Sequence, residues 1–416
     1  MKINFLYYIE EGDSFVLAKN KHEIYDDKGY FQSNIVNKVS SIDKFFKEEV
    51  LLCDEIPKDK YILVFRSDFS HGNSVINFLE KNNKLLNDLK NSKCILMTFR
   101  TEGAVENDIN TETMALTENS TWVDFCIGSG IPYKNITCFG PEFHITDYNF
   151  DIDIKFFNKW GSAISALSNK NSKILFKNSK IFLRPKHFYA VGTSARKHRW
   201  ELITYLYKEN LLDRGNISFF SEVLEDDEEF RAQDSRFSNT LIDEVRQLLP
   251  LGTDIKNISA ENDLPYISPV YSNNWVRIFN SYFYLVTGTL GQEDDKDKII
   301  KYHWVEEKVW KAIISFQPFI FFGSYKALEM LKMFGFKTFE NWIDESYDDE
   351  LTYEGRKKII YKEVKRLCSM DIEELDKWYW EMEDILIYNY NRLGEYVNEE
   401  YNKIFDIFRQ KIGDLS

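Results

Sequence analysis

Short apolar runs recur through the first third of the chain, at residues 2–9, 60–66, 94–99 and 135–139, and helical patterns such as Asn73 to Lys90 separate them. Alternation of this kind predicts a parallel sheet with helices on both faces. A stretch rich in Asn and Asp with mixed aromatics, Asp147 to Trp160, interrupts the pattern. Strand signals resume near Ile174-Leu175-Phe176 and Ile181-Phe182-Leu183. Beyond them the pattern predicts a strand at Phe188 to Val191, a helix at Arg196 to Glu209 and a strand at Ile217 to Phe220. A helix near Leu241 to Leu249, a long loop through Pro265 and Pro269 and a strand at Tyr282 to Thr287 follow.

The most informative stretch is Val305 to Ser324. Val305, Val309, Ala312, Ile313 and Phe316 recur at helical spacing, which predicts one buried face with Glu307 and Lys308 near the opening of the helix. Gln317-Pro318 is expected to end that helix, because proline cannot continue it. Phe319 to Phe322 is a continuous apolar run, as in a strand covered on both faces. From Tyr353 onward the pattern turns helical, with Asp371 and Glu374 spaced as a capping box. The expected architecture is α/β: two Rossmann-like domains facing a cleft, with C-terminal helices. The expected boundaries are residues 1–155, 156–352 and 353–416, the last segment packing back on the first domain through Tyr388 to Phe408.

Composition narrows the class. The 416 residues are 44% hydrophobic and 16% aromatic, enough for large packed cores and far from a disordered chain. A net charge of −14 argues against broad adhesion to nucleic acid or anionic membrane. No apolar run approaches the roughly 20 residues needed to span a bilayer, and the start of the chain lacks a signal-peptide layout. A soluble cytoplasmic protein is expected, in the host cytoplasm if the source is viral. Cys53, Cys94, Cys126, Cys138 and Cys368 are scattered, so buried thiols are expected rather than disulfides or a zinc site.

The string Val305 to Ser324, continued through Leu328 to Phe339 and on to Asp344-Glu345-Ser346-Tyr347-Asp348, resembles the donor-domain signature of GT-B glycosyltransferases, of the fucosyltransferase and exostosin-like kind found in phage and bacterial proteins. Gly192-Thr193-Ser194-Ala195-Arg196-Lys197-His198-Arg199, with Leu202, Leu206, Leu211 to Gly215 and Ser218-Phe219, is a second match. Together they cover roughly Tyr189 to Ser369. The resemblance implies a nucleotide-sugar co-substrate and no further cofactor.

A nucleotide sugar presents a diphosphate and a ribose. Arg196 and Arg199 stand at a helix start after small residues, where backbone N–H groups and planar guanidinium forks suit phosphate oxygens; the resemblance implies a diphosphate role for this loop, Thr193 included. Glu307 can accept ribose hydroxyl protons while Lys308 reaches the diphosphate; an ordinary Glu307–Lys311 surface pair is the competing reading. Thr287, Gly288 and Thr289 resemble the segment that faces the donor, although Gly288 stands where the closest relatives would carry an acid.

An acceptor hydroxyl must lose its proton during transfer, which calls for a carboxylate or histidine. Ligands in open α/β sheets lie beyond the carboxyl ends of strands. Asp68 and Glu102, in the loops after Tyr61 to Arg66 and Cys94 to Phe99, are therefore the candidate bases, with His71 behind them. Asp151-Ile152-Asp153 does not close a strongly apolar strand and is not favoured as a metal site. The histidines show no zinc spacing, and no phosphate-binding Gly-x-x-x-x-Gly-Lys-Ser/Thr loop occurs. A metal-independent glycosyltransferase is the leading reading, with an unidentified acceptor that can be glycan, protein or modified DNA. A binding or assembly protein without turnover is the alternative, and a phage enzyme that glycosylates a modified DNA base is a narrower form of the first.

Overall fold

The computed structural model describes residues 2–11, 14–18, 40–67, 72–100, 114–140, 153–156, 170–192, 197–219, 244, 251, 275–288 and 305–415. The chain divides into two compact units, Met1–Ala166 with Glu395–Ser416, and Leu167–Gly394. Each is α/β.

The first unit is built on seven strands: β1 (Ile3–Glu11), β2 (Ser14–Leu17), β3 (Val50–Leu52), β4 (Tyr61–Ser67), β5 (Cys94–Arg100), β6 (Ile136–Gly140) and β7 (Asp153–Phe156). The order is β2-β1-β4-β5-β6-β7, with β3 also beside β1, and only the β1–β2 pairing is antiparallel. The helices are α1 (Ser40–Glu48), α2 (Gly72–Glu80), α3 (Asn83–Lys90) and α4 (Met114–Ser129). Alternate residues of the central strands face opposite ways. Leu6, Leu63, Phe65 and Leu96 share one core with Val75, Leu79, Leu85, Leu89, Trp122 and Phe125 of α2, α3 and α4. Phe5, Phe99 and Phe139 belong to a second aromatic cluster that includes Phe45, Phe405 and Phe408. The helical pattern over Asn73 to Lys90 is carried by two helices, parted at Lys81 and Asn82.

The second unit carries β8 (Lys186–Gly192), β9 (Gly215–Phe219), β10 (Ser281–Thr287) and β11 (Phe319–Phe322), all parallel, in the order β11-β10-β8-β9. Its helices are α5 (Lys170–Asn178), α6 (Lys197–Lys208), α7 (Trp275–Phe279), α8 (Glu307–Ile314), α9 (Ala327–Met333), α10 (Tyr353–Ser369) and α11 (Ile372–Trp380). The 33-residue helix α12 (Glu383–Leu415) starts in this unit, and from Glu395 onward its residues cluster with the first. The Asp371–Glu374 capping box is present at the start of α11, with both reciprocal hydrogen bonds formed.

Three local expectations are corrected. Ile174-Leu175-Phe176 lies on α5 and not on a strand, with Phe176 buried and Ile174 exposed. Ile181-Phe182-Leu183 follows a 3-10 turn and stays exposed; Phe182 is extended yet pairs with no described strand. Among its described side chains helix α8 is buried, Lys308 and Lys311 included, where the amphipathic reading expected one buried face. Its end is set before Pro318. Phe316 is left-handed (φ 53°), Gln317 N–H donates to Ala312 O at 3.0 Å and Phe316 N–H to Ile313 O at 3.1 Å, the paired bonds of a Schellman cap.

A bulky residue in that left-handed position costs of order 1–2 kcal/mol. It is held by packing: the Phe316 ring is stacked between Phe176 at 4.2 Å and Tyr390 at 4.5 Å, while Tyr379 donates a hydrogen bond to its carbonyl at 2.7 Å. Phe316→Ala is expected to destabilise the second unit by about 3–5 kcal/mol, measured by denaturant unfolding. Phe408→Ala should cost the first unit a similar amount, because it removes a ring that contacts Phe5, Phe45, Phe99 and Phe139 together.

Candidate functional site

In the second sheet the chain leaves β8 toward β9 on one side and leaves β10 toward β11 on the other. The crevice where such paths diverge, outside the carboxyl ends of the strands, is where open α/β sheets take ligands. Gly192 ends β8, Thr287 ends β10, and Gly288 follows. Gly288 continues the ladder by donating its N–H to Phe322 O at 2.8 Å.

Helix α6 supplies two side chains that fasten its first turn to this edge. His198 is fully buried, and its Nε2 lies 2.8 Å from Gly288 O; a carbonyl only accepts, so Nε2 carries the proton. Arg199, also buried, donates through its guanidinium to Gly288 O at 2.9 Å and to Thr287 O at 3.3 Å. Three donor contacts thus converge on two consecutive carbonyls at the end of β10. The Thr287 hydroxyl is turned to Val191 O of β8 at 3.4 Å.

Helix α8 brings the charged pair. Glu306 is its N-cap residue with extended backbone, and its carbonyl accepts from Val309 N–H at 3.1 Å, but its side chain makes no capping bond. The carboxylate instead approaches the Lys308 ammonium at 3.6 Å, with 1% of the Glu306 side chain and 10% of the Lys308 side chain exposed. It also fills the space beside Gly288. A Cβ added at 288 would lie 2.6 Å from Glu306 Oε1 and 2.9 Å from the Gly323 Cα. Glycine is required here by close approach rather than by backbone angle, and an acid reaches the position from the neighbouring helix.

Helix α9 also starts near this edge, but its start is already occupied. The Asp348 carboxylate accepts the N–H of Leu328 at 3.0 and 3.1 Å and that of Glu329 at 3.0 Å.

Of the residues singled out in the sequence, Arg199, Thr287 and Lys308 meet at this edge. Arg199 tightens α6 onto β10 by binding backbone carbonyls. Glu307 opens α8, but its side chain lies outside the described part of the structure, as do Arg196, Thr193 and Thr289 entirely. The surface-pair reading of Glu307 with Lys311 meets a buried Lys311. Asp68, His71 and Glu102 also lie outside the described residues; β4 and β5 end at Ser67 and Arg100, paired with each other directly ahead of them. Asp153 opens β7 instead of closing a strand. Glu306 and His198 were not singled out from the sequence. The available clue to Glu306 was Gly288 itself, whose missing side chain has to be complemented by a neighbour.

Among the described residues no group of three or more His, Cys, Asp or Glu is placed to hold a metal ion, and no helix is long and apolar enough to cross a membrane. The cysteines are unpaired thiols, four buried and Cys53 partly so.

No known protein-family profile matches the chain, and no curated protein matches it. One solved structure, described as trehalose-6-phosphate from E. coli bound with UDP-2-fluoro glucose, aligns over 99% of this chain and 89% of that one, with 10% identity and a TM-score of 0.35. A likeness that loose carries no chemistry, and the architecture rests on the two sheets themselves.

Gly288→Ala is expected to push Glu306 away from β10 and to destabilise the second unit by about 1–3 kcal/mol. Denaturant midpoints of the two proteins, compared at constant slope, check this.

Proposed function

We propose that the chain is a glycosyltransferase and that its second unit takes a nucleotide-sugar donor at the divergence of β8 and β10. The single observation that carries the reading is the buried Glu306–Lys308 pair beside Gly288 at the carboxyl edge of a parallel sheet. The two groups offer a carboxylate that accepts hydroxyl protons and a cation that compensates phosphate charge, in a site where exclusion of water strengthens both. Arg199 and His198 hold the β10 edge in place for them. Arg196, Thr193 and Thr287 are proposed to line the diphosphate side, with Glu307 at the start of α8.

In the proposed reaction an acceptor hydroxyl oxygen forms a bond to the anomeric carbon, the bond from that carbon to the diphosphate breaks, and the hydroxyl proton passes to a base. Glu102 or Asp68 of the first unit is proposed as that base. The leaving group departs as a nucleoside diphosphate, its charge met by Lys308 and the proposed Arg196 rather than by a metal ion. A cytoplasmic location and a glycan, protein or modified-DNA acceptor complete the proposal.

Titration with a panel of nucleoside diphosphates is expected to find at least one that binds saturably. Glu306→Gln and Lys308→Met should each weaken that binding roughly tenfold or more, the size of a lost charged hydrogen bond. Failure of every common nucleoside diphosphate to bind would overturn the reading. Turnover is read separately, as donor hydrolysis or transfer to an acceptor panel with chelator present; saturable binding without either would make the chain a binding or assembly protein.

A further inference from the structure

The segment between α9 and α10 is stitched to its own unit from three directions. The Tyr347 hydroxyl accepts the N–H of Phe321 at 3.2 Å, on the outermost strand of the sheet, β11. Asp348 takes the first-turn N–H groups of α9 with its carboxylate and the Lys326 N–H with its carbonyl, the last at 3.1 Å. Glu345 Oε1 accepts Phe339 N–H at 2.7 Å and closes the loop on itself. Lys326, Leu328, Glu329, Glu345 and Asp348 also line a pocket of about 500 Å³.

The charges around this pocket are unbalanced. From α9 and its N-cap come Lys326, Glu329 and Lys332; from the segment itself come Glu340, Asp344 and Asp349; from α10 come Glu363 and Arg366. Lys326 pairs with Asp349 and Glu329, Lys332 pairs with Glu340, and Arg366 pairs with Glu363. Asp344 accepts from the Ser346 hydroxyl. Among the described residues no cation forms an ion pair with Glu345 or Asp348, which keep backbone N–H donors. Asp348 is thus buried and Glu345 half-buried beside a solvent-reachable pocket that holds more carboxylates than cations.

We propose that this segment is a proton-responsive brace, in which the proton occupancy of Glu345 and Asp348 sets how firmly the outer edge of β11 and the start of α9 are held. Burial pushes the Glu345 carboxyl up to about 7 and that of Asp348 up to about 6, against backbone N–H bonds that act the other way. A carboxyl raised above its ordinary range stabilises the fold below that range, and the stabilisation is lost as pH rises through the raised value. The brace therefore tightens on acidification from above pH 7 toward the ordinary carboxylate range, and this holds whether or not a nucleotide binds.

The test is thermal unfolding of the full chain and of Glu345→Gln between roughly pH 5 and pH 8. Gln keeps an acceptor for Phe339 N–H and cannot ionise. The variant should melt several degrees above the wild type at the upper end, and the gap should close toward the lower end. A gap that does not change with pH, or that widens on acidification, overturns the proposal. Should the variant not fold, hydrogen exchange of the wild type decides it, after correction for intrinsic rates. Protection of the Leu328, Glu329 and Phe339 amides should rise as pH falls from about 8 to about 5; protection that stays constant or falls overturns the proposal.

Discussion

The organising constraint of the second unit is the burial of α8 along its described side chains. A helix packed in this way takes charged residues inside with it, and Lys308, Lys311 and the N-cap Glu306 are all buried. Removing an ion from water costs several kcal/mol, and its partner returns that only when geometry is good. At 3.6 Å the Glu306–Lys308 contact is a loose pair, not a tight one. Stability alone is a weak reason to keep such a pair in a core, since apolar side chains of the same size would often do as well. The donor proposed above would present hydroxyls to the carboxylate and negative charge to the ammonium, at the carboxyl edge of a parallel sheet.

Gly288 shows how one substitution can hide an acid from sequence reading. The acid expected at 288 is absent from the string Thr287-Gly288-Thr289, and taken alone that absence argues for lost function. In the folded unit the space of the missing side chain is filled by the carboxylate of Glu306, eighteen positions further on. Spacing along a chain cannot register a close approach made across two elements. His198 was missed for a related reason: its partner, the Gly288 carbonyl, is ninety residues away.

The sheets themselves were legible because continuous apolar runs bounded by polar segments have few other uses. Every strand anticipated at 60–66, 94–99, 135–139, Phe188 to Val191 and Phe319 to Phe322 is found within a few residues. The misreadings share one cause. Ile174-Leu175-Phe176 and Ile181-Phe182-Leu183 are apolar triplets, too short for periodicity to separate a helical turn or an exposed bend from a strand. The end of α8 was likewise assigned to the conspicuous Pro318, whereas the bonds of Phe316 and Gln317 close the helix first. The ring stack with Phe176 and Tyr390 and the Tyr379 hydrogen bond explain why a phenylalanine tolerates that backbone.

The three helices that start near the carboxyl edge of the second sheet are not equivalent. The first-turn amides of α9 are already neutralised by Asp348, so an incoming anion there would meet a carboxylate. The first turn of α8 carries a cation, and its own cap residue has turned its carboxylate away from the helix end. The first turn of α6 carries a buried guanidinium and an imidazole that cross to β10. The charged side chains at this edge therefore gather where the paths out of β8 and β10 part, while the start of α9 beside β11 is held by a carboxylate.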